Sequence, residues 1–246
     1  MSAPPQHCVE FRRVSKAFGG PPVLDDVSLQ LPAGLTTAVV GESGSGKTTL
    51  LQLVNAVLRP DSGDVLVNGE PIPTGDLVAF RRRIGYAVQG AGLFPHLRNC
   101  ENVELLARLD GWPLAERRAR CLALLEQMGL DPEIAERYPF SLSGGQQQRL
   151  GLCRALMLKP DLLLLDEPFS AVDPITRAGL YETFRRVQNR DGVSTLLVTH
   201  DMREAVRLAE HLVILRNGAV LQSAATGEVL DRPADPYVQT LVKEQL

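Results

Sequence analysis

Short β-branched runs separated by turn residues fill the first part of the chain: CVEFRRV (8–14), VSLQL (27–31) and TTAVV (36–40), the last running directly into a glycine-rich stretch. DVLVNGEPI (64–72) continues the pattern, with Asn68-Gly69 predicting a tight turn between extended segments. A helix is predicted over Thr74–Arg83 and a strand at IGYAV (84–88). From Asn99 to Lys159 the period changes, and Leu114, Cys121, Leu122, Leu125 and Met128 fall on one face of a helix, which predicts a helical sub-lobe. After Pro160 strands return as LLLLD (162–166) and VSTLLVT (193–199), each followed by a helical segment, the alternation of a parallel α/β sheet. HLVILRNGAVLQSA (211–224) closes the pattern with a second Asn-Gly turn at Asn217-Gly218.

Composition narrows the classes. The 246 residues sit at the upper edge of one domain, so a single domain over 1–246 with sub-lobes is expected. A net charge of -3 argues against a nucleic-acid partner. The longest apolar runs, such as Leu162–Leu165, fall far short of the roughly 20 residues of a membrane-spanning helix. The start, MSAPPQHCVEF, has neither a basic opening nor an apolar signal core, so secretion is not expected. Cys8, Cys100, Cys121 and Cys153 have no metal-like spacing and are too few for a disulfide scaffold, so all four are expected as reduced packing residues of a cytosolic protein.

GESGSGKTT, from Gly41 to Thr49, fits G-x-x-x-x-G-K-[ST] with a strand before it and a helical segment after it. In such a loop the backbone N–H groups of Glu42, Ser43, Gly44, Ser45 and Gly46 wrap phosphates. Lys47 offers charge to the β and γ oxygens, and the Thr48 hydroxyl can ligate magnesium. LLLLDEP supplies an acidic pair at a strand's carboxyl end, where parallel sheets place their ligands. Asp166 there can hold magnesium, and Glu167 can polarise a water aimed at the γ-phosphate. Taken alone, an acidic pair ending a strand is more often a turn or cap. At this point kinases and switch GTPases both remain open.

LSGGQQQR (142–149), a short distance before LLLLDEP, resembles the signature motif of the ATP-binding cassette (ABC) ATPases, and the other elements of that family follow in order. Phe18 in KAFGG resembles the aromatic that stacks on adenine. Gln89 resembles the Q-loop glutamine that touches magnesium and the attacking water. Ser170 to Asp173 resembles the D-loop, and His200 in VTHD the switch histidine at the γ-phosphate. The resemblance implies a P-loop NTPase cassette with a RecA-like core (about 1–88 and 160–246), an antiparallel β sub-lobe and a helical sub-lobe (about 99–159). It also implies ATP and Mg2+ as ligands and two cassettes paired head to tail. Ser143, Gly144, Gly145 and Gln146 would then face a γ-phosphate held by Lys47 of the opposite subunit.

One cassette per chain and no long coiled-coil insertion resemble transport members of the family rather than its repair or translation members. ERYPFSLSGGQ resembles the importer form. RRRIGYAVQGAGLFPHLRNCENV, EPFSAVDPITR and DRPADPYVQTLV resemble cassettes of osmoprotectant importers for glycine betaine, choline and related quaternary amines. This implies a peripheral subunit on the cytoplasmic face of the inner membrane, working with transmembrane permease subunits and a substrate-binding protein. The apolar residues Leu93, Phe94, Pro95 and Leu97 are expected to line the groove for the permease, and Gly90-Ala91-Gly92 to form a mobile loop. Arg81–Arg83 is expected as a solvated helix end. The sequence ends at Leu246 without the paired regulatory domains of many such cassettes, so osmotic self-regulation is not expected. An importer for amino acids or another small polar solute, a lipid or drug exporter, and a soluble regulatory ATPase are the alternatives.

Overall fold

The computed structural model describes residues 6–170, 172 and 174–246. They form two compact units, one of the residues up to Arg81 with Ser194–Leu246, the other Arg82–Val193.

In the first unit, strands β1 (His7–Ala17), β2 (Pro22–Pro32), β4 (Ser62–Val67) and β5 (Glu70–Pro71) make an antiparallel sheet in the order β2-β1-β4-β5. A second sheet centres on β3 (Thr36–Val40), which pairs in parallel with β8 (Ser194–Thr199) and β9 (His211–Arg216); β10 (Ala219–Ala225) joins β9 antiparallel. Every residue of β3 and β8 is buried, as expected of strands covered on both faces. Helix α1 (Lys47–Val54) leaves β3 and buries Leu50, Leu51, Leu53 and Val54. Both Asn-Gly pairs make the expected tight turns, with positive φ at Asn68, Gly69, Asn217 and Gly218. Helix α2 (Leu77–Arg82) starts later than predicted because Asp76 accepts from the N–H groups of Val78 and Ala79 and so caps it. Helices α7 (Met202–Leu208), α8 (Thr226–Asp231) and α9 (Pro236–Gln245) complete this unit.

In the second unit, β6 (Ile84–Ala87) pairs in parallel with β7 (Leu162–Asp166). Helices α3 (Asn99–Leu109), α4 (Leu114–Gln127), α5 (Gly144–Leu156) and α6 (Pro174–Asp191) surround Phe169, Phe184, Leu124, Leu125 and Leu150, all fully buried. The apolar stripe of α4 differs from the sequence expectation. Cys121, Leu124, Leu125 and Met128 are buried, whereas Leu114 is 63% exposed and Leu122 is on the flank. The first turn of α4 meets polar surface, where Arg117 and Arg118 pair with the buried carboxylate of Glu104. Among the described residues no helix is long and apolar enough to cross a membrane.

The expectation that all four cysteines are reduced is corrected here. Cys100 and Cys121 form a disulfide between α3 and α4, with Cα atoms 6.2 Å apart; their separation of 21 positions hides a juxtaposition that only helix packing creates. The arginine run ends the helix in solvent as expected, with Arg81 and Arg83 exposed: Arg81 donates to the carbonyls of Asn55 and Ala56, Arg82 pairs with Asp110, and Arg83 pairs with Asp161. Cys8 and Cys153 are free and buried. Burial pushes their thiols up to about 11 and about 12. Both therefore stay protonated in the folded chain. Iodoacetamide at about pH 8 should leave Cys8 and Cys153 unmodified until denaturant is added, with alkylated peptides read by mass spectrometry.

Candidate functional site

The phosphate loop belongs to the first unit. Val40 ends β3, Lys47 opens α1, and the backbone between them turns through positive φ at Gly44 and Gly46. No side chain would fit at two of its glycines. A Cβ on Gly41 would stand 2.2 Å from the Leu215 carbonyl oxygen, and one on Gly46 2.8 Å from the Val23 carbonyl oxygen. The Gly218 N–H donates to the Ser45 carbonyl at 3.2 Å, so the β9–β10 turn holds the loop from behind. Gly46 caps α1 without any side-chain bond, leaving the helix's first N–H groups directed toward the loop. The Ser45 hydroxyl is buried with no hydrogen-bond partner. Lys47 is buried and donates to the carbonyls of Gly41 and Glu42 at 2.8 and 2.7 Å. Glu42, Ser43, Gly44 and Thr48 are exposed, and Thr49 is half-buried. An orphaned hydroxyl, uncapped N–H groups and a cradle that admits no Cβ fit a bound phosphate chain.

His200 follows β8, and the parallel register sets Val40 beside Thr199, so the loop and the histidine leave neighbouring strand ends. Thr199 accepts from the Asp201 N–H, and Asp201 caps α7 by accepting from Arg203 and Glu204. His200 itself is exposed. Phe18, also in this unit, is 58% exposed, with the Lys16 ammonium 5.6 Å from its ring.

The second unit carries the acidic pair. Asp166 ends β7 and is buried; burial and its charge together push the phenol of Tyr86 up to about 12. Glu167 sits at a positive φ of 45°, a strained conformation for a side chain other than glycine or asparagine. It is held there by neighbours. Ser170 donates to its carbonyl from both N–H and hydroxyl, at 3.3 and 3.0 Å, and Gln89 donates to its carboxylate at 3.2 Å. In the signature stretch, Ser143 and Gln146 form a reciprocal cap on α5: the Ser143 hydroxyl accepts from the Gln146 N–H and the Gln146 amide oxygen accepts from the Ser143 N–H. Ser143 and Gly144 are exposed and Gly145 is half-buried. Thus Gln89 and Glu167 meet in one unit, while Gly41–Thr49 and His200 belong to the other. Ala171 and Asp173 of the D-loop stretch lie outside the described residues.

The sequence profile of the ABC transporter family matches residues 24–170. The chain belongs to the ABC transporter family. It is 42% identical over 238 residues to the choline transport ATP-binding protein OpuBA of Bacillus subtilis, covering 96% of this chain and 62% of that protein. Against the Fe(3+) ions import ATP-binding protein FbpC of Pseudomonas fluorescens the identity is 43% over 244 residues, covering 97% of this chain and 67% of that one. The chain therefore spans about three fifths of the length of OpuBA. Among solved structures, a dimeric post-hydrolysis state of the ATP-binding cassette MJ0796 bound to ADP and Pi superposes with a TM-score of 0.82 at 31% identity, over 89% of this chain and 98% of that one.

Within this ABC cassette, several residues beside the nucleotide motifs escape motif reading. Gln148 on α5 reaches the Ser170 hydroxyl at 3.5 Å, joining the signature helix to the turn that strains Glu167. Arg154, eleven positions after Ser143, donates to the carbonyls of Ala91 and Gly92 at 2.8 Å each, and burial lowers its pKa. Ala91 is buried against Gly151, where a Cβ would lie 3.3 Å away. The loop after Gln89 is thus tied to α5, where its small residues suggested looseness. At Ala91 smallness serves close packing, whereas Gly90 and Gly92 are exposed. Beyond it, Phe94 and Pro95 are exposed and Leu93 and Leu97 half-buried, and the side chain of Asn102 bonds the backbone at Phe94, Leu97 and Arg98. Arg154→Met should free residues 90–92, with faster amide exchange there and a loss of about 2 kcal/mol in denaturant unfolding, the size expected for hydrogen bonds to a charged group.

Proposed function

We propose that this chain is the ATP-hydrolysing subunit of an importer and that it energises solute movement through a separate membrane permease. The observation that carries the reading is the phosphate cradle, a loop between strand and helix in which Gly41 and Gly46 leave no room for a Cβ and the buried Ser45 hydroxyl has no partner, as suits a bound phosphate chain. Glu167 is the general base, aligned by Gln89, and Lys47 and His200 stabilise charge on the γ-phosphate. Phe18 offers an exposed ring to the adenine. Thr48, Gln89 and Asp166 provide the hard oxygen donors that suit magnesium, which when bound neutralises phosphate charge.

Ser143, Gly144, Gly145 and Gln146 act on the nucleotide of a second cassette. They cap a helix whose first turn carries no lysine, so the phosphate's counter-charge comes from Lys47 of that other chain. The partially exposed residues Leu93, Phe94, Pro95 and Leu97 offer an apolar surface to the permease. The assembly lies on the cytoplasmic face of the inner membrane, and a substrate-binding protein delivers the solute.

The solute is a quaternary-amine osmoprotectant, supported by the loop sequence from Arg81 to Val103 and by the likeness to a protein named for choline transport. An iron-import cassette is equally similar over its aligned length, which fits a chain that never touches solute. Uptake of labelled choline and glycine betaine in a deletion strain tests this: loss of uptake, restored by the gene, supports it, and unchanged uptake of both contradicts it. At the chemical level, Glu167→Gln should retain ATP binding, lower turnover by at least about 100-fold and give an ATP-dependent dimer on gel filtration. Normal turnover in that variant would remove Glu167 as the base.

A further inference from the structure

Helix α9 lies at the back of the phosphate loop. Asp235 caps it by accepting from the Tyr237 N–H, Pro236 opens its first turn, and Val238 is fully buried. Tyr237 then lies on the guanidinium of Arg216, 4.1 Å from ring centroid to Cζ. Arg216 ends β9 directly after Leu215, whose carbonyl presses on Gly41, and two positions before Gly218, which bonds Ser45. The ring's hydroxyl is buried with no partner at normal hydrogen-bond distance and faces the carboxylate of Glu42; burial first, then that charge and the hydroxyl's interaction with the same carboxylate, raises the phenol's pKa. At the far end of α9, the Gln245 side chain accepts from the Met202 N–H at 3.0 Å, and its carbonyl accepts from Arg203 at 2.6 Å. These contacts pin the helix to the first turn of α7, just after His200.

We infer that Tyr237 is a positioning residue for nucleotide binding, its ring seated on Arg216 and its hydroxyl facing Glu42, so that α9 holds the phosphate loop in its ligand-ready shape. The inference rests on the reading of Gly41–Thr49 as the ATP site. The ring does the bracing: its face supplies the contact with Arg216, whereas its hydroxyl lies too far from the Glu42 carboxylate for a normal hydrogen bond. Removing the ring lets the β9–β10 turn and the loop shift apart, which weakens capture of nucleotide before any chemistry begins. Turnover of bound nucleotide depends on groups that Tyr237 does not touch.

The test uses the full chain. Tyr237→Ala should raise the KM for ATP about three- to fivefold, the size of one ring–cation contact, with kcat within about twofold of wild type. Tyr237→Phe, which keeps the ring, should match wild type in both. If the alanine variant does not fold, Tyr237→Leu keeps apolar volume without the planar face and carries the same expectation. An unchanged KM in a folded Tyr237→Ala or Tyr237→Leu chain, or an equal defect in Tyr237→Phe, overturns the inference. Amide exchange at residues 41–46 without nucleotide separates the two readings. If the wild-type chain binds no ATP the functional proposal fails, yet faster exchange in Tyr237→Ala still supports the bracing role, and unaltered exchange refutes it.

Discussion

Close approach of backbone to backbone at the phosphate loop is the constraint on which the rest of the first unit depends. Gly41 meets the Leu215 carbonyl, Gly46 meets Val23 and Leu24, and Gly218 meets Val23 again. Three glycines thus lock the end of β3, the second strand of the antiparallel sheet and the β9–β10 turn into one cluster. A methyl group at any of these positions would collide with backbone or a neighbouring side chain. The same loop holds the buried, unpartnered Ser45 hydroxyl and the uncapped first turn of α1, the groups on which the proposed phosphate site relies.

The second unit solves a different problem, which is to hold a carboxylate in a conformation it does not favour. Glu167 stays at positive φ because Ser170 binds its carbonyl and Gln89 its carboxylate. Both partners are in turn connected to α5, Ser170 through Gln148, and the loop that follows Gln89 through Arg154. The helix that begins with the signature residues is therefore in mechanical contact with the acid that the proposed chemistry uses. A ligand engaging Ser143 would act on the same rigid element that ties down Gln148 and Arg154. Helix α5 is one continuous element from Gly144 to Leu156, which gives that coupling a physical path.

Legibility in the sequence followed burial geometry. TTAVV, LLLLD and STLLVT were readable as strands because burial on both faces favours short runs of β-branched and aliphatic residues without an alternating exposed position. The two Asn-Gly turns were readable because few other pairs tolerate two left-handed residues in succession. The α4 stripe was misplaced at Leu114, since a seven-residue spacing says which face a residue is on but not whether apolar surface waits there. Cys100 and Cys121, and the roles of Gln148, Arg154 and Tyr237, were invisible for a shared reason: each depends on which distant segment the fold sets beside it. The small residues Gly90-Ala91-Gly92 suggest a mobile loop in the sequence, whereas Ala91 packs on Gly151 and Arg154 binds the carbonyls of Ala91 and Gly92.

The central claim of the account is that the phosphate loop of one chain and the signature of another complete a single ATP site. Mixing two inactive variants, Lys47→Ala and Ser143→Arg, tests it most directly, because a mixed pair combines both lesions in one site and leaves the other intact. Each variant alone should be nearly inactive, and an equimolar mixture should recover on the order of a quarter of wild-type turnover, since half the pairs are mixed and each has one working site. A mixture as inactive as its components, despite measured exchange of subunits, would contradict the shared site.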